Sequence, residues 1–191
     1  MADTPAFPIQ GLLAILQAAR RPTHPNLHAW LGAPGSLTAR LRKMGTVQVL
    51  VVRQGTYPLL PEEQRDLHCR GGHVREVLLL VDGVPAIWAR SALPHAGLRG
   101  PWKALARLGR RPLAELLFAK QHICRTPLRC IPIASHGPLH NHLRTAWSEA
   151  RGGMPDASVP RWGRSSVFWR HGQPLRVMEV FAPWFARVAL M

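Results

Sequence analysis

The amino-acid sequence predicts an α+β fold, a single domain with an antiparallel β-sheet of about six strands covered by helices. Three observations carry that reading. Residues 74–81 and 84–91 are apolar, β-rich runs joined by Asp82-Gly83, and residues 165–170 and 174–181 repeat the pattern across His171-Gly172; both read as hairpins. Segments of helical period lie before and between these hairpins. The chain has 191 residues, 47% of them hydrophobic and 18% charged, a globular profile with enough length for one domain and a sizeable core.

The elements follow in order. Residues 1–10 are Pro-rich and read as a loose N-terminal segment, with the domain spanning 11–191. Residues 11–20 carry Leu12, Leu13, Ile15, Leu16 and Ala19 at helical spacing, ended by Arg21-Pro22. Two short helices, 27–31 and 37–44, flank Gly32-Ala33-Pro34-Gly35; Ser36 suits the N-cap of the second and Gly45 its end. Residues 47–53 form a β-branched strand. After the first hairpin, 102–108 is helical and Pro112 opens a further helix through Leu113, Leu116, Leu117 and Phe118. Residues 121–131 supply another strand. Residues 132–160 are rich in His, Gly, Pro and Ser, with one helical patch near 143–150, and read as a loop insertion. The second hairpin closes the sheet.

Composition excludes several classes of protein. Lys and Arg number 25 against 10 Asp and Glu, a formal charge of +15. That excess invites a nucleic-acid reading, but 22 of the 25 cations are arginine and no basic block exceeds two residues. Zinc-finger spacing, an RNP-like motif and a basic zipper region are all missing, so the charge implies no specific nucleic-acid partner. The strongest apolar runs are far shorter than a membrane span. The N-terminal residues lack the pattern of a signal peptide, and a cytoplasmic, monomeric protein is expected. Cys69, Cys124 and Cys130 are too few for a disulfide framework. His136, His140 and His142 cluster without a partner carboxylate or cysteine at a fixed offset, and read as solvated loop histidines rather than metal ligands.

Two charged residues fall in the apolar phase of their strands. Arg75 shares a face with Val77, Leu79 and Val81, and Glu179 shares one with Leu175, Val177 and Phe181. A charge on an apolar face must be paired or meet a charged ligand. At Pro112-Leu113, the Leu113 N–H is a free donor at a helix start, suited to a carboxylate or phosphate. A structural Arg–Glu pair accounts for the same residues, and the pattern alone does not choose.

Taken in order, several stretches resemble the bacterial chorismate lyase family. They are Arg75-Glu76-Val77-Leu78-Leu79 leading to Asp82-Gly83, Ala89-Arg90-Ser91-Ala92-Leu93-Pro94, Leu108-Gly109 with Pro112-Leu113, Leu117-Phe118, Trp162-Gly163-Arg164-Ser165-Ser166, and Glu179-Val180-Phe181-Ala182-Pro183. The resemblance implies a chorismate lyase-like fold with a helical lid over an enclosed ligand. It also implies conversion of chorismate to 4-hydroxybenzoate and pyruvate, without a cofactor or metal, for ubiquinone synthesis. By resemblance, Arg75 and the Leu113 main chain hold the ring carboxylate. Glu179 faces the ring hydroxyl and the departing ether as acid, base or orienting group. Leu37 stands where the family usually has a lid methionine. Arg90 and Arg164 are secondary candidates, for the side-chain carboxylate or for electrostatic support of the sheet. The product would pass to a membrane prenyltransferase. Other readings remain open at this point: a non-catalytic aromatic-acid binding module of the same fold, a lyase releasing a different hydroxybenzoate, or a nucleic-acid-binding protein.

Overall fold

The computed structural model describes residue 22 and residues 24–118, 122–150 and 159–190; the expected loose segment 1–10 and the helix at 11–20 lie outside them. The chain order is α1 (Pro25–Gly32), α2 (Leu37–Leu41), β1 (Val47–Pro58), α3 (Pro61–Leu67), β2 (Gly71–Val81), β3 (Val84–Leu93) and α4 (His95–Arg99). A 3₁₀ turn (Lys103–Arg107), α5 (Leu113–Phe118), β4 (Cys124–Arg125), β5 (Arg129–Pro132), α6 (Pro138–Ala150), β6 (Trp162–Arg170), β7 (Gln173–Phe181) and a final 3₁₀ turn (Pro183–Arg187) follow.

Seven antiparallel strands form one sheet in the order β1-β2-β3-β7-β6-β4, with β5 also paired to β6. Both expected hairpins are present. Their turns, Asp82-Gly83 at φ 49° and 80° and His171-Gly172 at 47° and 71°, have the two left-handed residues that match strand twist. Six strands become seven because the 121–131 run is divided around Pro127, which has no N–H for the ladder. Gly163 on β6 is obligatory for a different reason: a Cβ there would lie 2.8 Å from the Glu179 carbonyl oxygen. The two strands therefore close tightly beside Arg164 and Glu179.

Side chains alternate across the sheet, and both faces are covered. On one face α1, α2, α4, the first 3₁₀ turn and α5 overlie Val77, Leu79, Val177 and Phe168, with Trp102, Leu105, Leu116 and Leu117 packed above. On the other, α6 seats Leu143, Ala146 and Trp147 in the cluster that holds Leu78, Trp88 and Met178. This two-sided burial explains why β2, β3 and β7 read as continuous apolar runs.

Two expectations are corrected. Residues 132–160 are not simply a loop insertion, because 13 of them form α6. Leu139, Leu143, Ala146 and Trp147 supply an apolar stripe at helical spacing, hidden among polar neighbours. Residues 151–158 lie outside the described ones. The strand expected at 47–53 runs on to Pro58, and the chain then forms α3, where Leu60 N–H donates to Glu63 Oε2 at 2.9 Å. No helix among the described residues is long and apolar enough to cross a membrane.

Candidate active site

A cavity opens between the sheet and the helices that cover its first face. Its lining includes Leu37 and Thr38 of α2, Arg75 of β2, Ser91 of β3, Leu113 and Phe118 of α5, Arg125 of β4, Arg164 and Phe168 of β6, and Val177 and Glu179 of β7. The strand register explains the gathering. Arg75 pairs with Ser91, Ser91 with Val177 and Val177 with Ser166, a row running straight across the sheet. The adjacent row is Val77, Ala89, Glu179 and Arg164. Arg75 and Glu179, the two residues in the wrong phase of their strands, thus meet around one space.

Arg75 is 2% exposed. Its Nη2 donates to the carbonyl oxygens of Gly109 at 2.8 Å and Arg111 at 3.1 Å, which ties down the loop ahead of α5. Its Nε is buried without a hydrogen-bond partner. Burial pulls the guanidinium pKa down to about 10, so it stays protonated at neutral pH. The helix begins at Leu113, one residue beyond Pro112, and the first N–H of a helix has no acceptor within it. Arg75 therefore supplies a donor itself and also positions the main chain that supplies a second.

On the other side of the row, Arg164 Nε donates to Glu179 Oε2 at 2.6 Å, a charge-assisted bond. Its Nη1 donates to Trp30 O at 3.2 Å and Ala33 O at 2.8 Å. Arg164 thereby fastens the C-terminal end of α1 over the cavity. Trp30 Nε1 adds a bond to Val188 O at 3.0 Å, so the lid segment is anchored at two points. Leu37 is buried in that lid, on the helix capped by Ser36, whose Oγ accepts from Ala39 N–H at 3.1 Å.

Of the two uses expected for Arg90, its contacts fit electrostatic support of the sheet. Arg90 sits in the cavity wall, but its guanidinium is turned to the opposite face, because it is one residue out of phase with Ala89 and Ser91. There Nε and Nη2 grip Glu63 at 2.7 and 2.8 Å, and Nη1 donates to Glu76 Oε1. Arg53 joins Glu76 at 2.8 Å, and Arg176 joins Asp66 at 2.8 Å. His142 is also corrected: rather than a solvated loop residue, it lies on α6 with Nε2 2.5 Å from Glu76 Oε2. Burial alone would push the Glu76 carboxyl up, but His142, Arg53 and Arg90 together hold it down at about 2. This buried network supports the sheet from behind the cavity.

Arg125 is the cavity cation that sequence reasoning missed. Its Nε donates to Ser166 Oγ at 2.8 Å, and its guanidinium lies 4.9 Å from the centre of the Phe168 ring. Burial depresses its pKa; Glu179 works against that and Arg164 with it. A two-residue strand has no phase to read, so no sequence signal marked it.

The cavity is narrow, about 50 Å³, where one water needs about 10–15 Å³ by the same measure. Of its walls, Phe118 is 50% exposed, whereas Leu37 and Thr38 of α2 are buried. Among the described residues no three His, Cys, Asp or Glu side chains gather as a metal site.

A family model described as chorismate lyase matches residues 17–190. A probable chorismate pyruvate-lyase of Albidiferax ferrireducens is 43% identical over 167 residues, covering 83% of this chain and 84% of the relative. One from Bordetella avium is 40% identical over 169 residues, with 85% and 80% covered. One from an Azoarcus species is 42% identical over 164 residues, with 82% and 84% covered. Among solved structures, the ligand-binding domain of a putative GntR-family transcriptional regulator from Bordetella bronchiseptica aligns with a TM-score of 0.45 and 15% identity. That alignment covers 73% of this chain and 84% of that one.

Proposed function

The chain belongs to the chorismate lyase family, and on that premise we propose that it eliminates pyruvate from chorismate to release 4-hydroxybenzoate. The observation that carries this reading is Arg75, which lines the cavity with a buried Nε that has no partner, together with Leu113, which lines the same cavity at the start of α5. Such a pair suits a carboxylate, and the ring carboxylate is common to substrate and product.

The elimination breaks the C4–H and C3–O bonds of the ring and forms the third ring double bond. The leaving enolpyruvate takes up a proton to become pyruvate. Substrate and the two products balance without an electron carrier, and aromatisation supplies the driving force. Glu179, held at Oε2 by Arg164, keeps its other oxygen available as an acceptor for the C4 proton or the C4 hydroxyl. Of the three roles expected for it, base and orienting group fit a side chain with one oxygen held by Arg164 and the other open to accept. Leu37 and Thr38 roof the ring and exclude water.

Placing the product at the head of ubiquinone synthesis, with transfer to a membrane prenyltransferase, follows the family resemblance. The decisive experiment incubates purified protein with chorismate and measures both products by chromatography. Equimolar 4-hydroxybenzoate and pyruvate are expected. Neither product above the uncatalysed background overturns the reading, and a different hydroxybenzoate would redirect it to another lyase.

A further inference from the structure

A substrate with two carboxylates needs two anchors, and the cavity offers three guanidinium groups besides the one turned away. Arg75 serves one end. Arg164 is 1% exposed and already donates to Glu179, Trp30 and Ala33. Arg90 faces the reverse side of the sheet, bound to Glu63 and Glu76. Arg125 remains. Its Nε donates to Ser166 Oγ. Its two terminal nitrogens have no protein acceptor among the described residues, and no carboxylate lies within ion-pair distance of them.

Its position suits the departing end of the substrate. Arg75 and Ser166 occupy the same row across the sheet, three strand steps apart and so separated by roughly 14 Å at the backbone. Arg125 hangs from Ser166, and both Arg75 and Arg125 line the space between. Glu179 and Arg164 belong to the next row, within reach of the ring atoms that react. The underside of Arg125 rests on Phe168, which fixes the guanidinium plane and limits its access to water. A partly desolvated cation with an open fork gains most from a carboxylate that meets it two-pronged.

We propose that Arg125 binds the carboxylate of the enolpyruvyl side chain through its terminal nitrogens, and so distinguishes substrate from aromatic product. This assignment rests on the lyase reading above. Arg125 exchanges no proton during the reaction; it holds the leaving fragment while the C3–O bond breaks. Because 4-hydroxybenzoate lacks this carboxylate, Arg125 loses its ligand when pyruvate departs. Substrate affinity then depends on two arginines and product affinity on one.

The test compares R125Q and R125K with wild type for chorismate kinetics and for 4-hydroxybenzoate binding by calorimetry, with circular dichroism to check the fold. For R125Q, kcat/KM for chorismate should fall by about 30-fold or more, as expected when one partner of a buried charge pair is removed. The Kd for 4-hydroxybenzoate should stay within about threefold of wild type, since that ligand has nothing for Arg125 to hold. R125K, which keeps the charge but not the fork, should lie between the two and decides the matter if R125Q misfolds. Equal weakening of substrate and product, or unchanged chorismate kinetics, overturns the proposal. Wild-type protein without turnover overturns the lyase reading and this assignment together, whereas a working wild type isolates Arg125.

Discussion

Replacing Arg75 by lysine tests the centre of the site, because Arg75 is assigned two separate tasks. In the structure its Nη2 holds the carbonyls of Gly109 and Arg111, while its Nε is buried without a partner and the side chain lines the cavity. A lysine has one compact ammonium and no fork, so it cannot serve both sides. Two bonds from a charged donor are worth about 1.5–3 kcal/mol each, and a lysine recovers about one of them. The folded state should therefore lose about 1.5–3 kcal/mol, which lowers Tm by roughly 3–12 °C in a domain of this size. Loss of the guanidinium at the ring carboxylate should weaken 4-hydroxybenzoate by a similar energy, about 10–150-fold in Kd. Differential scanning fluorimetry with and without 4-hydroxybenzoate reads both effects. A variant that melts lower but binds 4-hydroxybenzoate within threefold of wild type would refute the ligand assignment, leaving Arg75 as a loop anchor only.

Three further outcomes follow from the same geometry. Glu179→Gln keeps an acceptor for Arg164 but removes the basic carboxylate, so kcat should fall by about 10²–10⁴; a coupled pyruvate assay checks this, and a kcat near wild type excludes proton transfer at Glu179. Arg90→Met leaves Glu63 and Glu76 without their shared guanidinium, which should cost about 3–5 kcal/mol in urea unfolding. Glu76 has a folded pKa of about 2, below its ordinary 4.5. Its stabilising contribution is thus complete above about pH 4.5 and lost as the pH falls through about 2. Glu76→Gln should be less stable than wild type at pH 7, with the gap narrowing across that window in denaturation curves.

Local pattern in the sequence made the strands legible and concealed what lies between them. The hairpins at Asp82-Gly83 and His171-Gly172 follow from turn chemistry alone, and Arg75 and Glu179 stand out because alternation assigns each a face. Arg90 could not be assigned that way. Its strand is buried on both sides, so neither phase looks apolar by contrast, and only the register with Glu76 on β2 and the approach of Glu63 from α3 reveal its direction. Arg125 lies on a strand too short for a phase. The sequence reads 143–150 as helical, but the start of α6 is obscured because Leu139 and Leu143 are separated by His, Asn and His, a composition that resembles a loop. Contacts between residues far apart in sequence, such as His142 with Glu76 across 66 positions, leave no local trace.

The net charge of +15 is a poor guide to this protein, and the two faces of its sheet show why. On the reverse face Arg53, Arg90, Arg129 and Arg176 are matched by Glu63, Asp66 and Glu76 through direct ion pairs. There each arginine is engaged by a carboxylate, and its role is structural. Around the cavity Arg75, Arg125 and Arg164 face a single carboxylate among the described residues, Glu179, so two positive charges lack a counter-charge there. Desolvated cations without partners destabilise a fold, and an arrangement that keeps two of them is offset by whatever anion occupies the space. A dicarboxylate supplies two negative charges; its aromatic product supplies one. On the proposed lyase reading, that imbalance favours the substrate over the product, and the reaction removes the preference as the second carboxylate leaves. The local surplus at one cavity, rather than the surplus of the whole chain, relates this sequence to its chemistry.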